Sequence, residues 1–221
     1  MATFEIVEQE KLKMIRATLN GETVKAEPGA LHYMQGRIEI EVKLPSAKGF
    51  LKALATQESV IKTKFIGTGE VYFGPPIFGE YMVMDLNNET WILDKGAFVC
   101  SDDSIEIGAF RNKAMTALFS GEGMFQTKIE GTGKVVIQAD GPIEKIDLKD
   151  DRLTVDGSFA VARQDCLDFK LKKAAKSLLA SAGSGEGIVS VIEGTGTVYL
   201  SPIPNVYASL FASIGGMHSA G

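Results

Sequence analysis

The tripeptide Gly-Thr-Gly occurs three times in this chain, as Gly67-Thr68-Gly69, Gly131-Thr132-Gly133 and Gly194-Thr195-Gly196, with spacings of 64 and 63 residues. A fixed period of that size marks a repeated supersecondary unit. The flanks keep the same period. Phe65-Ile66, Ile129-Glu130 and Ile192-Glu193 precede the triplet, and Val71-Tyr72-Phe73, Val135-Val136-Ile137 and Val198-Tyr199-Leu200 follow it. Upstream, Ser120-Gly121-Glu122-Gly123 matches Ser184-Gly185-Glu186-Gly187, and Thr56-Gln57-Glu58-Ser59 holds the first copy's place. Each copy opens alike, Pro28-Gly29-Ala30-Leu31 answering to Lys95-Gly96-Ala97-Phe98 and to Asp156-Gly157-Ser158-Phe159. The copies run over about 24–86, 91–150 and 153–204, leaving a tail at 205–221.

Within a copy the hydrophobic period is two. Ile38-Glu39-Ile40-Glu41-Val42-Lys43-Leu44 alternates apolar and charged residues, as do Leu153-Thr154-Val155-Asp156 and Phe159-Ala160-Val161-Ala162. Such alternation predicts half-buried strands. Met14–Leu19, Asn20-Gly21 and Glu22–Lys25 read as a hairpin, because Asn-Gly supplies the positive φ angles of a type I′ turn. The stretch 169–182 (FKLKKAAKSLLASA) instead places Leu171, Ala174, Ala175, Leu178 and Leu179 at helical spacing, which predicts a short amphipathic helix. Ala114–Phe119 and Phe50–Ala55 hold its place in the other copies.

These patterns predict an all-β fold, a β-sandwich or double-stranded β-helix-like arrangement with one or more short helices. One copy alone has too few strands to bury its apolar face. Three copies sharing a core and covering one another's edges would form a single domain over 1–221 with approximate internal threefold symmetry. No Pro/Gly/Ser-rich linker separates them.

The chemistry-bearing residues are sparse. Gly131-Thr132-Gly133-Lys134 resembles part of a phosphate-binding loop, but Lys128 stands where that loop needs its first glycine and Val135 where it needs Ser or Thr. A strand follows rather than a helix N-terminus, so the glycines are read as permitting a bulge, a bend or the close approach of another backbone. Glu58, Glu122 and Glu186 recur threefold and could together hold a calcium- or magnesium-like cation, or act as turn and surface carboxylates. With only His32 and His218, neither a multi-histidine metal site nor a Ser-His-Asp triad has its parts, and no Gly-x-Ser-x-Gly elbow is present. Cys166 has no evident base beside it, Cys100 reads as a small apolar strand residue, and Trp91 reads as packing in the core or across an interface. Lys170, Lys172, Lys173 and Lys176 form a basic cluster that could meet phosphates or anionic lipid, or simply be a solvated face.

The net charge of −5 excludes the overall basic character of most nucleic-acid binders. Neither cysteine lies in a Cys-x-x-Cys, so both read as reduced thiols. The N-terminus has neither the basic and apolar regions of a secretory signal nor the Arg-rich character of a transit peptide. The longest apolar stretch, 206–214, is far short of the roughly 20 residues that span a bilayer. The expectation is a cytoplasmic protein.

Pro28-Gly29-Ala30-Leu31-His32-Tyr33-Met34-Gln35-Gly36 resembles the Pro-Gly-Ala-Met-x-Tyr-Met opening of the altered-inheritance-of-mitochondria (mitochondrial biogenesis) protein family. Gly121-Glu122-Gly123-Met124-Phe125 matches that family's Gly-Glu-Gly-x-Phe element, and the resemblance covers about residues 12–204. It implies a prokaryotic member of unknown function, with a β fold classed with the tryptophan-RNA-binding attenuation protein. It brings no catalytic, cofactor-binding or metal residues with it. RNA binding does not follow, because fold does not fix function.

The leading expectation is therefore a non-enzymatic, homo-oligomeric scaffold or interaction protein without a cofactor, a trimer being one form the repeat allows. The alternatives are a nucleic-acid or anionic-lipid binding module using the lysine cluster, and a small-molecule or metal-binding β fold using the three glutamates.

Overall fold

The computed structural model describes residues 1–10, 12–42, 62–74, 79–111, 125–156, 159–173 and 188–203. Among the described residues there are twelve strands and no helix. A first group comprises β1 (Thr3–Gln9), β2 (Leu12–Ala26), β3 (Leu31–Val42) and β4 (Thr63–Phe73). A second comprises β5 (Glu80–Leu93), β6 (Phe98–Asp102), β7 (Glu106–Arg111) and β8 (Phe125–Ala139). A third comprises β9 (Glu144–Asp156), β10 (Ala160–Gln164), β11 (Asp168–Lys173) and β12 (Ile188–Leu200). They join in one sheet of order β11-β12-β10-β5-β8-β6-β2-β4-β3, with β1 on β2, β7 on β8 and β9 on β12.

The all-β class expected from the sequence is what the chain adopts. The sheet is open, however, whereas the sequence led us to expect groups that cover every edge. Among the described residues β3 pairs only with β4, and β9 only with β12.

Each group is built on one long antiparallel pair, and the strand carrying Gly-Thr-Gly is one member of it. β4 pairs with β2, β8 with β5 and β12 with β9. Each pairing has a register irregularity at the triplet, between Asn20 and Thr23, between Asn87 and Glu89, and between Gly194 and Gly196. Such bulges sharpen the local twist and re-aim the strand. The bulged strands carry positive φ there, +93° at Gly21, +54° at Asn88 and +50° at Asp150. Asn and Asp tolerate that conformation better than other side chains. The threonine secures the bulge in two groups: Asn88 N–H donates to Thr132 Oγ1 and Asp150 N–H to Thr195 Oγ1, both at 2.9 Å.

The Asn20-Gly21 hairpin expected from the sequence does not form. Both of its arms belong to the continuous strand β2 and pair with β4, so the positive φ of Gly21 serves a bulge rather than a reversal. The predicted helix also gives way where it can be followed: Phe169–Lys173 lies in β11, whose residues pair with Ile188–Glu193 of β12. The remainder of that stretch, with Phe50–Ala55 and Ala114–Phe119, lies outside the described residues.

Beyond the bulge two of the long strands take on a further partner. Beyond its bulge β2 joins β6, with Val24, Lys25 and Ala26 opposite Asp102, Ser101 and Cys100. Likewise β5 joins β10, with Trp91, Ile92 and Leu93 opposite Gln164, Arg163 and Ala162. A further contact recurs in all three groups: Gly74, Gln138 and Ser201 donate backbone N–H bonds to the carbonyls of Ala30, Ala97 and Phe159. Phe159 thus stands level with Ala30 and Ala97, one place from where sequence matching puts it.

The core divides along the same lines. The first cluster takes Ile15, Leu19, Val24, Phe65, Val71 and Phe73 from β2 and β4, and is completed by Val99, Cys100 and Val136 of the second group. The second takes Trp91, Leu93, Ile105, Ile129 and Ile137, and is completed by Val161 and Ala162 of the third, with Tyr199 packed against it. The third holds Leu148, Val155, Leu167, Ile192, Val198 and Leu200, all from its own group.

A candidate interaction edge

The strands that correspond to the start of β3 in the other two groups lie between two neighbours and are buried. Phe98–Asp102 is buried throughout because β6 sits between β2 and β8. In β10, between β5 and β12, Val161, Ala162 and Arg163 are buried. Among the described residues β3 has a neighbour on one side only, and its residues from His32 to Arg37 are exposed. Tyr33 is 51% exposed and Met34 39%, against 0% for both Cys100 and Ser101 of β6.

The edge is apolar for an edge. Ile40 and Val42 are also exposed, at 44% and 50%, although their alternation with Glu39 and Glu41 reads as that of a half-buried strand. Natural edge strands are usually short, charged or covered, because their unpaired N–H and C=O groups template further pairing. The rings of Tyr33 and Tyr72 stack at 4.1 Å with 12° between their planes. The Tyr72 hydroxyl donates to Glu70 Oε2 at 2.8 Å, which raises its pKa above the usual tyrosine value. Arg16, paired with Glu5 and 3.9 Å from Glu70, fixes the far side of this array.

The other sites suggested by the sequence fare differently. Glu58, Glu122, Glu186, Lys176 and His218 lie outside the described residues. The lysines within them stand on strand β11, where Lys170 and Lys172 share a face by the twofold period of a strand. Lys170 Nζ is 3.0 Å from Glu193 Oε2, which raises its pKa, so this cation is already partnered. His32 opens the exposed stretch of β3. Among the described residues no group of three or more His, Cys, Asp and Glu side chains could hold a metal ion.

The glycine triplet has no room for a phosphate. A Cβ on Gly133 would meet Ser104 Oγ at 2.7 Å and Asp102 Oδ2 at 3.2 Å, and Lys134 Nζ pairs with Asp85 at 3.1 Å. The close approach expected of these glycines is clearest in the first group, where a Cβ on Gly69 would lie 2.1 Å from the carbonyl oxygen of Gln35. Cys100 is fully buried, and burial pushes its thiol well up. Trp91 packs in the second cluster and stacks on Tyr199 at 5.1 Å. Cys166 is exposed in the turn before β11.

Two features lay outside the sequence reading. Arg163 is buried between the rings of Phe110 and Phe169, at 5.4 and 5.1 Å, with its Nε unbonded, and burial lowers its pKa. A hollow of about 150 Å³ is lined by Glu27, Ala30, Gly74, Phe98, Val99 and Gln138. It is smaller than the roughly 300 Å³ at which small-molecule sites begin. The described surface presents an open sheet edge along β3.

An all-β chain with an open edge is the class that fold and site define. Residues 4–203 match the mitochondrial biogenesis AIM24 family, and the chain belongs to that family. It is 27% identical over 195 residues to an uncharacterised protein of Streptococcus pyogenes serotype M6, covering 83% of this chain and 78% of that protein. It is similar in fold to another Streptococcus pyogenes protein known from an X-ray crystal structure, with a TM-score of 0.77 and 22% identity over 99% of this chain and 100% of the other. Among the described residues no helix is long and apolar enough to cross a membrane.

Proposed function

We propose that the chain is a non-enzymatic interaction protein that binds its partner as an added strand on the edge of β3. The observation that carries this reading is the exposure of Tyr33, Met34, Ile40 and Val42 along a twelve-residue strand that, among the described residues, is paired on one side only. Strand addition draws affinity from the free backbone groups and selectivity from alternate side chains. The stacked Tyr33–Tyr72 pair supplies an aromatic anchor of the kind that dominates interface energetics. Lys170, held by Glu193, gives the phosphate- or lipid-binding alternative little support.

The test is photo-cross-linking in the producing cells with Tyr33→p-benzoylphenylalanine, using Lys95→p-benzoylphenylalanine in an exposed turn as control. Position 33 is expected to capture one or a few defined polypeptides, other copies of this chain included, that position 95 does not. Identical, diffuse labelling from both positions would refute the reading.

A further inference from the structure

We propose that the open edge of β3 is completed by β9 of a second copy of the chain, joined head to tail. This rests on the interaction reading above and names its occupant.

Two junctions inside the chain supply the template. At the first, Val24–Ala26 of β2 run antiparallel to Cys100–Asp102 of β6, and Glu27 N–H donates to the Val99 carbonyl at 2.9 Å. At the second, Trp91–Leu93 of β5 run antiparallel to Ala162–Gln164 of β10, and Asp94 N–H donates to the Val161 carbonyl at 2.8 Å. The two share one register, and the third group can be placed in it. Val24, Trp91 and Leu153 lie opposite Phe65, Ile129 and Ile192, each two residues before Gly-Thr-Gly. Cys100, Ala162 and Tyr33 lie opposite Val136, Tyr199 and Tyr72, each three residues after it.

Among the described residues β9 thus carries the first half of a junction, Leu153–Val155, without a second, and β3 carries the second half, Tyr33–Gln35, without a first. Among the described residues no pairing joins these two edges within one chain. The template sets Leu153 of one copy opposite Gln35 of the next, Thr154 opposite Met34 and Val155 opposite Tyr33. It aims the Asp156 N–H at the His32 carbonyl and places that exposed acid across from the exposed imidazole.

The side chains fit as the backbone does. Cys100 and Val136 close the first core cluster from the neighbouring group, and Ala162 closes the second, with Tyr199 packed against it. Tyr33 and Tyr72 are the corresponding pair, and Tyr33 lies open to solvent. Among the described residues the third cluster takes nothing from another group, and Leu153 is only partly buried against it. Tyr199 stacks on Trp91 inside the chain. Tyr72 would lie in the same way on Leu153, the counterpart of Trp91. Each copy offers one edge of each kind, so the contact is heterologous and association continues until a ring closes or a filament grows.

The test pairs Met34→Cys in one preparation with Thr154→Cys in another, both with the exposed Cys166 replaced by Ser. A hydrogen-bonded antiparallel pair has Cα atoms about 5.5 Å apart, within disulfide range. Mild oxidation is expected to link the two variants when they are mixed, with little linkage in either alone or between Met34→Cys and Glu144→Cys. Tyr33→Lys should weaken self-association in sedimentation equilibrium by roughly tenfold or more, and Tyr33→Phe should retain it. Disulfides between two Met34→Cys chains in place of the mixed product would overturn the head-to-tail register. A wild-type chain that sediments as a monomer at all soluble concentrations, while position 33 captures a different protein in cells, would overturn self-docking and leave the interaction reading standing. Monomeric behaviour with no specific capture would remove both.

Discussion

Gly69→Ala isolates the work done by the repeated glycine. Its φ is +147°, and a Cβ there would sit 2.1 Å from the Gln35 carbonyl oxygen, 2.9 Å from Gly36 Cα and 3.1 Å from the Gln35 carbonyl carbon. All three are backbone atoms of β3, so no side chain can turn aside. To restore contact distance β3 must retreat by about 1 Å, which stretches the ladder bonds on either side of the Gly36·Gly69 pair. Two weakened bonds at about 1 kcal/mol each and about 1–2 kcal/mol for the positive φ give about 3–4 kcal/mol of lost stability. Gly21→Ala is the matched control, because its φ is +93° but nothing lies within 4 Å of its Cβ, so it should cost only the conformational part, about 1–2 kcal/mol. Gly36→Ala meets Thr68 O at 2.5 Å and should match Gly69→Ala. The double variant should cost less than the sum, because the strands need separate only once. Urea denaturation followed by circular dichroism measures all four. If Gly69→Ala costs no more than Gly21→Ala, close strand approach is not what the triplet provides.

The Tyr81 hydroxyl is buried without a hydrogen-bond partner, so Tyr81→Phe should leave stability unchanged or raise it by about 1 kcal/mol. Burial, with a smaller contribution from Cys100, pushes the Tyr81 phenol up to about 12. Its folded pKa therefore exceeds the unfolded value near 10, and the stability it contributes is complete below about pH 10 and lost as pH rises towards 12. Wild type should lose about 2 kcal/mol more than Tyr81→Phe over that interval in urea titrations, and parallel curves would refute the assignment. The buried Asp102 carboxylate accepts the Ala2 N–H at 3.0 Å and the Lys134 N–H at 2.8 Å, so Asp102→Ala should cost about 3 kcal/mol in the same assay. A loss below about 1 kcal/mol would mean that water replaces it freely.

The fold class was legible because alternation and glycine punctuation are local signals. The Gly-Thr-Gly triplets were legible as backbone devices because a variable residue and then a strand follow each of them. Asn20-Gly21 misled because its turn propensity is local, whereas β2 is defined by pairing with β4, from Ala26 opposite Thr63 to Ile15 opposite Phe73. Phe169–Lys173 misled because Phe169-Lys170-Leu171 satisfies a period of two as readily as the start of a helical one, and pairing with β12 decides between them. The candidate edge was not legible from the residues of β3 alone. Tyr33, Met34, Ile40 and Val42 have the composition of any half-buried strand, and a missing neighbour leaves no trace in a strand's own residues. The clue available in sequence was a comparison of copies, in which Tyr33 and Met34 stand where Cys100 and Ser101 do.

The way the clusters borrow from one another also orders events during synthesis. The first cluster is not complete until Val136 has been made, since its lid comes from β6 and β8. The second waits on Val161 and Ala162. A nascent chain therefore cannot finish one group and proceed to the next; each core stays ajar while its successor emerges from the ribosome. The third group differs: among the described residues its cluster draws only on its own strands. Its amides in β9 and β12 should be the first to open in native-state hydrogen exchange, and its core the last to close.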